Sequence, residues 1–186
     1  EILSAYCGSG EITRYDVDRD LTAIERRHLY THPGSGEDAV IADVDNDGQM
    51  EFITTDSFRK DAAKVVIFDF DEKGELLLPA RIVLEGYDGK PCFHANVAIG
   101  DLTNDGKNEL IVCWKRQERV NAGTIIVYKI AVAKAIPLYT LMEDEPELDS
   151  SYCERMMIVS DADNDERNDL VVTTRGEREW GGKGLA

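Results

Sequence analysis

Three short segments of the chain place oxygen-bearing side chains at the same four positions. Counted from the first aspartate, these are positions 1, 3, 5 and 9. The segments begin at Asp43, Asp101 and Asp161, so they recur after 58 and 60 residues. The residues concerned are Asp43, Asp45, Asp47 and Glu51 in the first, Asp101, Thr103, Asp105 and Glu109 in the second, and Asp161, Asp163, Asp165 and Asp169 in the third.

Alternating acidic side chains in a tight loop direct their oxygens to one point, and the backbone carbonyl at position 7 can join them. The position 7 residues are Gln49, Lys107 and Arg167. Hard oxygen ligands in this number suit Ca²⁺ better than Mg²⁺, which requires strict octahedral geometry and keeps its waters. Carboxylates packed together would also repel one another without a cation. The sequence therefore predicts up to three calcium sites, with ordinary Asp- and Asn-rich turns as the alternative.

An EF-hand begins with the same spacing but also needs a bidentate glutamate at position 12 and a helix on each side. Position 12 in this chain is Thr54, Val112 or Val172, and the flanking residues resemble strands. The EF-hand is therefore excluded.

Two differences between the three loops bear on metal binding. Thr103 replaces an acid, so the second loop should bind calcium more weakly than the first. Glu166 stands where the other loops have Gly48 and Gly106. If that position requires a positive φ, a non-glycine residue costs about 1 kcal/mol there. We expect the first loop to be the strongest site.

Runs rich in β-branched and aromatic residues surround each loop, without the 3.6-residue period of helices. They indicate four strands per repeat, A to D, with the acidic loop between A and B. The predicted segments are 39–42 for A; 52–55, 110–114 and 170–174 for B; 12–15, 65–68 and 125–128 for C; and 21–29, 76–84 and 135–141 for D. Residues 71–74 are predicted to form a tight C–D turn, and the acidic strings at 16–20 and 69–71 are interpreted as solvated turns.

Four-stranded units with this period are typical of β-propeller blades. The predicted fold class is all-β, with about three blades of a larger β-propeller covering residues 1–186. The blade units are approximately 1–44, 45–102 and 103–162, with the start of a further blade at 163–186. Because a closed ring takes about 4–8 blades, the remaining blades are expected from the rest of a longer polypeptide or from another chain.

The pattern resembles the FG-GAP and VCBS repeats of integrin-α-like β-propellers. Residues 43–48 with Glu51, and their two copies, carry the resemblance, whereas strands C and D match only loosely. The family implies a seven-bladed ring with calcium in the A–B loops. Its members include extracellular adhesion proteins, lectins, and polysaccharide lyases or related sugar-active enzymes. The Phe-Gly and Gly-Ala-Pro motifs are absent, so the VCBS-like subgroup fits better.

The D–A and B–C connections are expected at the end opposite the calcium loops, where variable loops commonly bind ligands. The candidate ligand residues there are His94, Trp114, Arg116, Arg175 and Trp180. Tryptophans could stack on sugar rings and arginines could hold carboxylates. The alternatives are a hydrogen-bonded structural role for His94 and packing between blades for Trp114. No catalytic residue is assigned, because no Ser-His-Asp or Cys-His order is discernible.

The 186 residues include 37 acids and 21 lysines and arginines, for a net charge of −16. This balance disfavours nucleic acids and anionic membranes, and no apolar run approaches the ~18 residues of a membrane span. Four cysteines without a C-x-x-C pair favour isolated buried thiols over disulfides; they are Cys7, Cys92, Cys113 and Cys153. No leader is visible, but sites of this kind fill readily at extracellular calcium levels, which favours an extracellular or periplasmic location.

Three functions are compatible with this sequence. The favoured one is a calcium-stabilised interaction module that binds a protein or glycan on the face opposite the loops. The second is the propeller portion of a carbohydrate-active enzyme with His94 near the sugar, and the third is a purely structural propeller. The chain by itself is not expected to be an enzyme.

Overall fold

The computed structural model describes residues 2–6, 11–20, 24–31, 35–57, 63–86, 92–116, 123–142 and 151–175. Within these ranges the chain forms strands and no helix. The strands are β1 (Ile2–Tyr6), β2 (Glu11–Val17), β3 (Ile24–Thr31), β4 (Ser35–Ala42), β5 (Glu51–Ser57), β6 (Lys64–Asp69), β7 (Ile82–Glu85), β8 (Cys92–Gly100), β9 (Glu109–Arg116), β10 (Gly123–Ala131), β11 (Lys134–Met142), β12 (Ser151–Ser160) and β13 (Asn168–Arg175).

The strands form four antiparallel sheets whose strands follow chain order. The orders are β1–β2–β3, β4–β5–β6–β7, β8–β9–β10–β11 and β12–β13. Both four-stranded sheets run through A, B, C and D as the repeat predicts, and the acidic loops join β4 to β5, β8 to β9 and β12 to β13. The all-β class and the four-stranded antiparallel unit are confirmed.

The outer strand of the first complete sheet is shorter than predicted. Residues 76–84 were expected to form strand D, but β7 begins at Ile82. Before it, Leu76 makes only an isolated bridge with Phe70, and Leu77 and Leu78 are exposed. Pro79 has no N–H to donate to a ladder, so the pairing restarts only after it.

The predicted turn at residues 71–74 is confirmed by its hydrogen bonds. The Gly74 N–H donates to the Asp71 carbonyl oxygen at 2.9 Å, and Gly74 has a φ of 74°. The Asp71 side chain accepts from the backbone N–H groups of Lys73 and Glu75. A short acidic residue that bonds its own turn and a glycine at positive φ are what such a turn requires.

Alternate residues of β9 contribute to two different cores. Leu110, Val112 and Trp114 join a cluster shared with sheet β4–β7, whereas Ile111 and Cys113 join one shared with β12 and β13. All five are fully buried. Because both faces of the sheet are covered, the strand is apolar throughout instead of alternating.

A third core packs the first sheet against the second. Ile12 of β2 lies in it with Phe52 of β5 and Phe68 of β6, and the rings of these two phenylalanines stack with centroids 6.2 Å apart. The four sheets therefore pack face to face in chain order. No helix in the described residues is long and apolar enough to cross a membrane.

Two of the cysteines can be placed. Cys92 and Cys113 are both buried, as predicted for this pair. Cys7 and the side chain of Cys153 lie outside the described part of the chain.

Candidate metal centres

The three A–B loops share one backbone conformation at positions 4 and 6. Position 4 has a positive φ in every loop, at Asn46 (65°), Asn104 (58°) and Asn164 (66°). Position 6 does too, with φ values of 90°, 82° and 68° for Gly48, Gly106 and Glu166. Position 6 therefore has the positive φ on which the cost of Glu166 depends, and Glu166 adopts it despite its side chain.

Each loop brings three carboxylates together. One oxygen from each lies within 4.8 Å of the other two. The sets are Asp43, Asp45 and Glu51 in the first loop, Asp101, Asp105 and Glu109 in the second, and Asp161, Asp163 and Asp165 in the third. With calcium–oxygen distances of about 2.4 Å, oxygens on opposite sides of one ion lie at about this separation. The described geometry thus fits one cation per loop.

Three predicted side-chain ligands lie outside these sets. They are Asp47, Thr103 and Asp169. The Asp47 carboxylate accepts the backbone N–H of Gln49 at 2.8 Å. The Thr103 hydroxyl donates to Glu109 Oε1 at 3.1 Å, so it holds a member of the second set. For the position 7 residues Gln49, Lys107 and Arg167, the described bonds are N–H donations to the position 5 carboxylates.

The acid at position 9 closes every loop by accepting the backbone N–H of position 2. Glu51 Oε2 accepts from Val44 at 2.9 Å, and Glu109 Oε2 accepts from Leu102 at 3.0 Å. In the third loop Asp169 Oδ2 accepts from Ala162 at 2.6 Å. The position 9 acid was predicted only as a ligand, and this second role explains why each loop has an acid there.

At position 1 the third loop departs from the other two. Asp43 accepts the N–H groups of Asp47 and Gly48, both at 3.0 Å, and Asp101 does the same with its own loop. Asp161 instead has a φ of 45°, and its Oδ1 is buried without a hydrogen-bond partner in the described structure. A buried carboxylate oxygen without a donor is costly, and a bound cation would satisfy it.

An arginine from outside the first loop contacts two of the loop acids. Arg81 lies directly before β7, and its Nη1 lies 2.5 Å from Asp45 Oδ2. Its Nη2 lies 3.8 Å from Glu51 Oε1, and its Nε lies 3.0 Å from Asp69 Oδ1. Sequence reasoning missed this arginine, because 36 residues separate it from Asp45.

The surroundings of Glu51 alter its pKa. Burial raises the pKa of Glu51 to about 7, and the negative charges of Asp45 and Asp47 act in the same direction. The Val44 N–H and the Arg81 guanidinium oppose that rise but do not cancel it. Near neutral pH, and without a metal, Glu51 therefore exists in both protonated and ionised forms.

Neighbouring loops are joined by asparagines at positions 4 and 8. The Asn108 N–H donates to Asn46 Oδ1 at 2.7 Å, and Asn46 Nδ2 donates to the Asn108 carbonyl at 3.1 Å. One repeat later, the Asn168 N–H donates to Asn104 Oδ1 at 3.2 Å. The three candidate centres thus form one continuous hydrogen-bonded row.

Two of the candidate ligand residues are buried. His94 is 7% exposed, and its Nε2 lies 2.9 Å from Asn96 Oδ1, in keeping with a hydrogen-bonded structural residue. Trp114 is fully buried and donates from Nε1 to the Tyr128 hydroxyl at 3.2 Å. Trp114 therefore has no exposed face for a sugar ring and packs between sheets, which was its alternative interpretation.

The other three candidates are two arginines at strand ends and one tryptophan. Arg116 ends β9 and Arg175 ends β13, but their side chains lie outside the described part of the structure, as does all of Trp180. Of the five candidates, the structure therefore describes the side chains of His94 and Trp114.

A buried polar network links strands β4, β8 and β12. Asp38 Oδ2 accepts from Asn96 Nδ2 and from the Val97 N–H, both at 3.0 Å. Asp38 Oδ1 accepts from Arg155 Nη1 at 2.7 Å. The carboxylate thus joins three successive sheets, and no repeat position in the sequence identified it.

Comparisons with known proteins do not assign the chain to a family. No protein-family model matches it, and no curated protein matches it at a significant level.

Proposed function

We propose that the three A–B loops bind calcium and that the sheets are blades of a β-propeller of the FG-GAP/VCBS type. The observation that carries this proposal is the recurrence of a three-carboxylate cluster in the A–B loop of three successive sheets, each cluster including the position 1 aspartate. One cluster could be an acidic turn. Three clusters in equivalent loops, one of them with a buried Asp161 oxygen that has no described hydrogen-bond donor, favour a shared kind of ligand.

The composition of the clusters favours calcium among the biological cations. Every member is a carboxylate, with no histidine or cysteine that would suit zinc or copper. Most of the loop residues are exposed, so waters can complete the seven or so ligands that calcium accepts. Magnesium demands near-ideal octahedral geometry and retains its waters, so all-carboxylate loops of this kind suit calcium better.

The chain is proposed to act as an interaction module outside the cytoplasm. The calcium loops occupy one end of the sheets, which leaves the opposite end for a protein or glycan ligand. Face-to-face packing of sheets in chain order supports a propeller, in which each blade packs on the next. A purely structural role is the second candidate, and the buried positions of His94 and Trp114 favour it over a sugar-active site.

Calcium titration tests the metal proposal. Isothermal calorimetry and thermal unfolding are measured on the chain after EDTA treatment, with Ca²⁺ or Mg²⁺ added. Ca²⁺ is expected to bind and to raise the unfolding midpoint by mass action, whereas Mg²⁺ has a smaller effect. Asp43→Asn, Asp101→Asn and Asp161→Asn should each remove one site, and Glu72→Gln on the exposed turn is the matched control. A chain that shows no heat and no stabilisation with calcium would contradict the proposal.

Binding to a glycan array, with calcium and with EDTA, separates the interaction module from the structural propeller. The module is expected to bind at least one glycan class only when calcium is present. If calcium stabilises the chain but no glycan or protein binds, the interaction module is contradicted and the purely structural role is favoured.

A further inference from the structure

We infer that Arg81 is a tethered counter-ion of the first loop, which competes with calcium for Asp45 and Glu51 and weakens that site. This inference rests on the proposed function. It concerns the regulation of one loop and not the existence of the sites.

The Arg81 guanidinium contacts acids that would also be ligands of a metal in the first loop. Arg81 contacts Asp45 and Glu51, which are two of the three members of the first carboxylate set. The side chains of Asp45 and Glu51 are only 4% and 2% exposed, and that of Arg81 is 16% exposed. A charge pair with so little solvent around it is screened far less than a surface pair.

Two further contacts hold Arg81 in this position. Its backbone N–H donates to the Ile67 carbonyl of β6 at 2.9 Å. Its Nε lies 3.0 Å from Asp69, which faces Glu51 across the β5–β6 ladder. Arg81 therefore contacts three acids at this end of the sheet, namely Asp45, Glu51 and Asp69.

The next sheet lacks this arrangement within its described residues. Ile67 pairs with Ile82 in the first complete sheet, and Val127 pairs with Tyr139 in the second. The residue preceding Tyr139 is Leu138, which lies at a register shift of the β10–β11 ladder, so no arginine stands beside Val127 as Arg81 stands beside Ile67. Lys129 occupies the ladder position of Asp69, and no ion pair between Lys129 and a loop acid is described. The second loop also has Thr103 where the first has Asp45, the acid nearest to Arg81. The arginine and this acid are therefore both absent from the second loop.

Calcium and Arg81 cannot both be fully bound to these acids. A divalent cation held by Asp45 and Glu51 would either displace the guanidinium or face its positive charge at short range, and both cost affinity. In the calcium-free protein the same guanidinium offsets the repulsion among the loop acids. Arg81 therefore opposes the expectation from counting carboxylates, by which the first loop would be the tightest site.

Calorimetry on a background with one complete loop tests this inference. Asp101→Asn combined with Asp161→Asn leaves the first loop as the remaining full set, and Arg81→Met, Arg81→Lys and Arg27→Met are compared on that background. Arg81→Met should bind calcium about tenfold more tightly, because the competing charge is gone while the apolar stem remains. Arg81→Lys keeps the charge and should stay close to the parent. Arg27 pairs with surface acids outside the loop, so Arg27→Met is the matched control.

Each outcome decides the inference. Equal calcium affinity in Arg81→Met and the parent would overturn it and leave the calcium function standing. Absence of calcium binding in every variant would overturn the proposed function of this loop as well. If Arg81→Met folds only when calcium is added, the metal has replaced the guanidinium and the inference is supported. Failure to fold even in calcium would show a purely structural arginine and would overturn the inference.

Discussion

Asn108 donates from its side-chain amide to the backbone carbonyl oxygen of Asp43, 2.8 Å away in the loop of the preceding sheet. The same bond recurs between Asn168 and Asp101 at 2.6 Å. In both cases position 8 of one loop holds position 1 of the loop before it. The candidate metal ligands are therefore fixed by the neighbouring sheet as well as by their own loop.

We predict that Asn108→Ala lowers the free energy of unfolding by about 1 kcal/mol, the usual net value of one intramolecular hydrogen bond. The backbone bond from the Asn108 N–H to Asn46 survives this change, so the loss stays small. Chemical denaturation in EDTA measures it. Met50→Ala is the control, since Met50 occupies position 8 of the first loop and is 57% exposed. Equal effects of the two substitutions would refute a role for the Asn108 amide.

We predict that substitutions of Asp38 and Arg155, the two charged residues of this network, lower the free energy of unfolding by very different amounts. Asp38 is buried, whereas the Arg155 side chain is 69% exposed. Asp38→Ala strands the buried Asn96 amide and the Val97 N–H, and should cost about 3 kcal/mol. Arg155→Ala removes a largely solvated partner and should cost less than about 1 kcal/mol. Denaturant midpoints of the two variants test this, and a larger loss for Arg155→Ala would contradict the described burial.

Local spacing was sufficient to predict the repeated unit. The order of four strands and the loop between A and B follow from residues a few positions apart, and the sequence also identified position 6 as the place where a positive φ would strain Glu166. Each rests on short-range rules, such as strand composition and the left-handed preference of glycine and asparagine. The late start of β7 follows the same kind of rule at Pro79, although the apolar run around it concealed that signal.

Contacts between distant segments could not be predicted in this way. Arg81 reaches Asp45 across 36 residues, and Arg155 reaches Asp38 across 117. Charged side chains on a strand are individually unremarkable in sequence, and only the stacking of sheets determines which of them meet. For the same reason Asp69, interpreted as part of a solvated turn, is found beside Arg81 in the structure.

Position 6 of the third loop offers a substitution that should stabilise the protein. Glu166 has a φ of 68°, which costs a non-glycine residue about 1 kcal/mol or more. Glycine removes that strain but adds about 0.4–1 kcal/mol of unfolded-state entropy, so Glu166→Gly should gain only about 0.5 kcal/mol. The converse, Gly48→Ala, should cost about 0.5 kcal/mol, because an added Cβ meets no atom within 4 Å and the backbone strain is partly offset by the lower unfolded-state entropy. Unfolding in EDTA measures both, and a loss of stability in Glu166→Gly would contradict the strain argument.

The buried Glu51 carboxyl predicts a specific pH dependence in the calcium-free protein. Its pKa is about 7 in the folded chain against an ordinary value of 4.5, so the folded state binds the proton more tightly. The stability that this proton contributes is complete below pH 4.5 and is lost as the pH rises through 7. Glu51→Gln keeps the shape and an acceptor for the Val44 N–H but cannot ionise. The difference in unfolding midpoint between the parent and Glu51→Gln, measured in EDTA, should therefore change between pH 4.5 and 7. Glu72→Gln serves as the control, and parallel curves for the parent and Glu51→Gln would show that Glu51 does not titrate in this range.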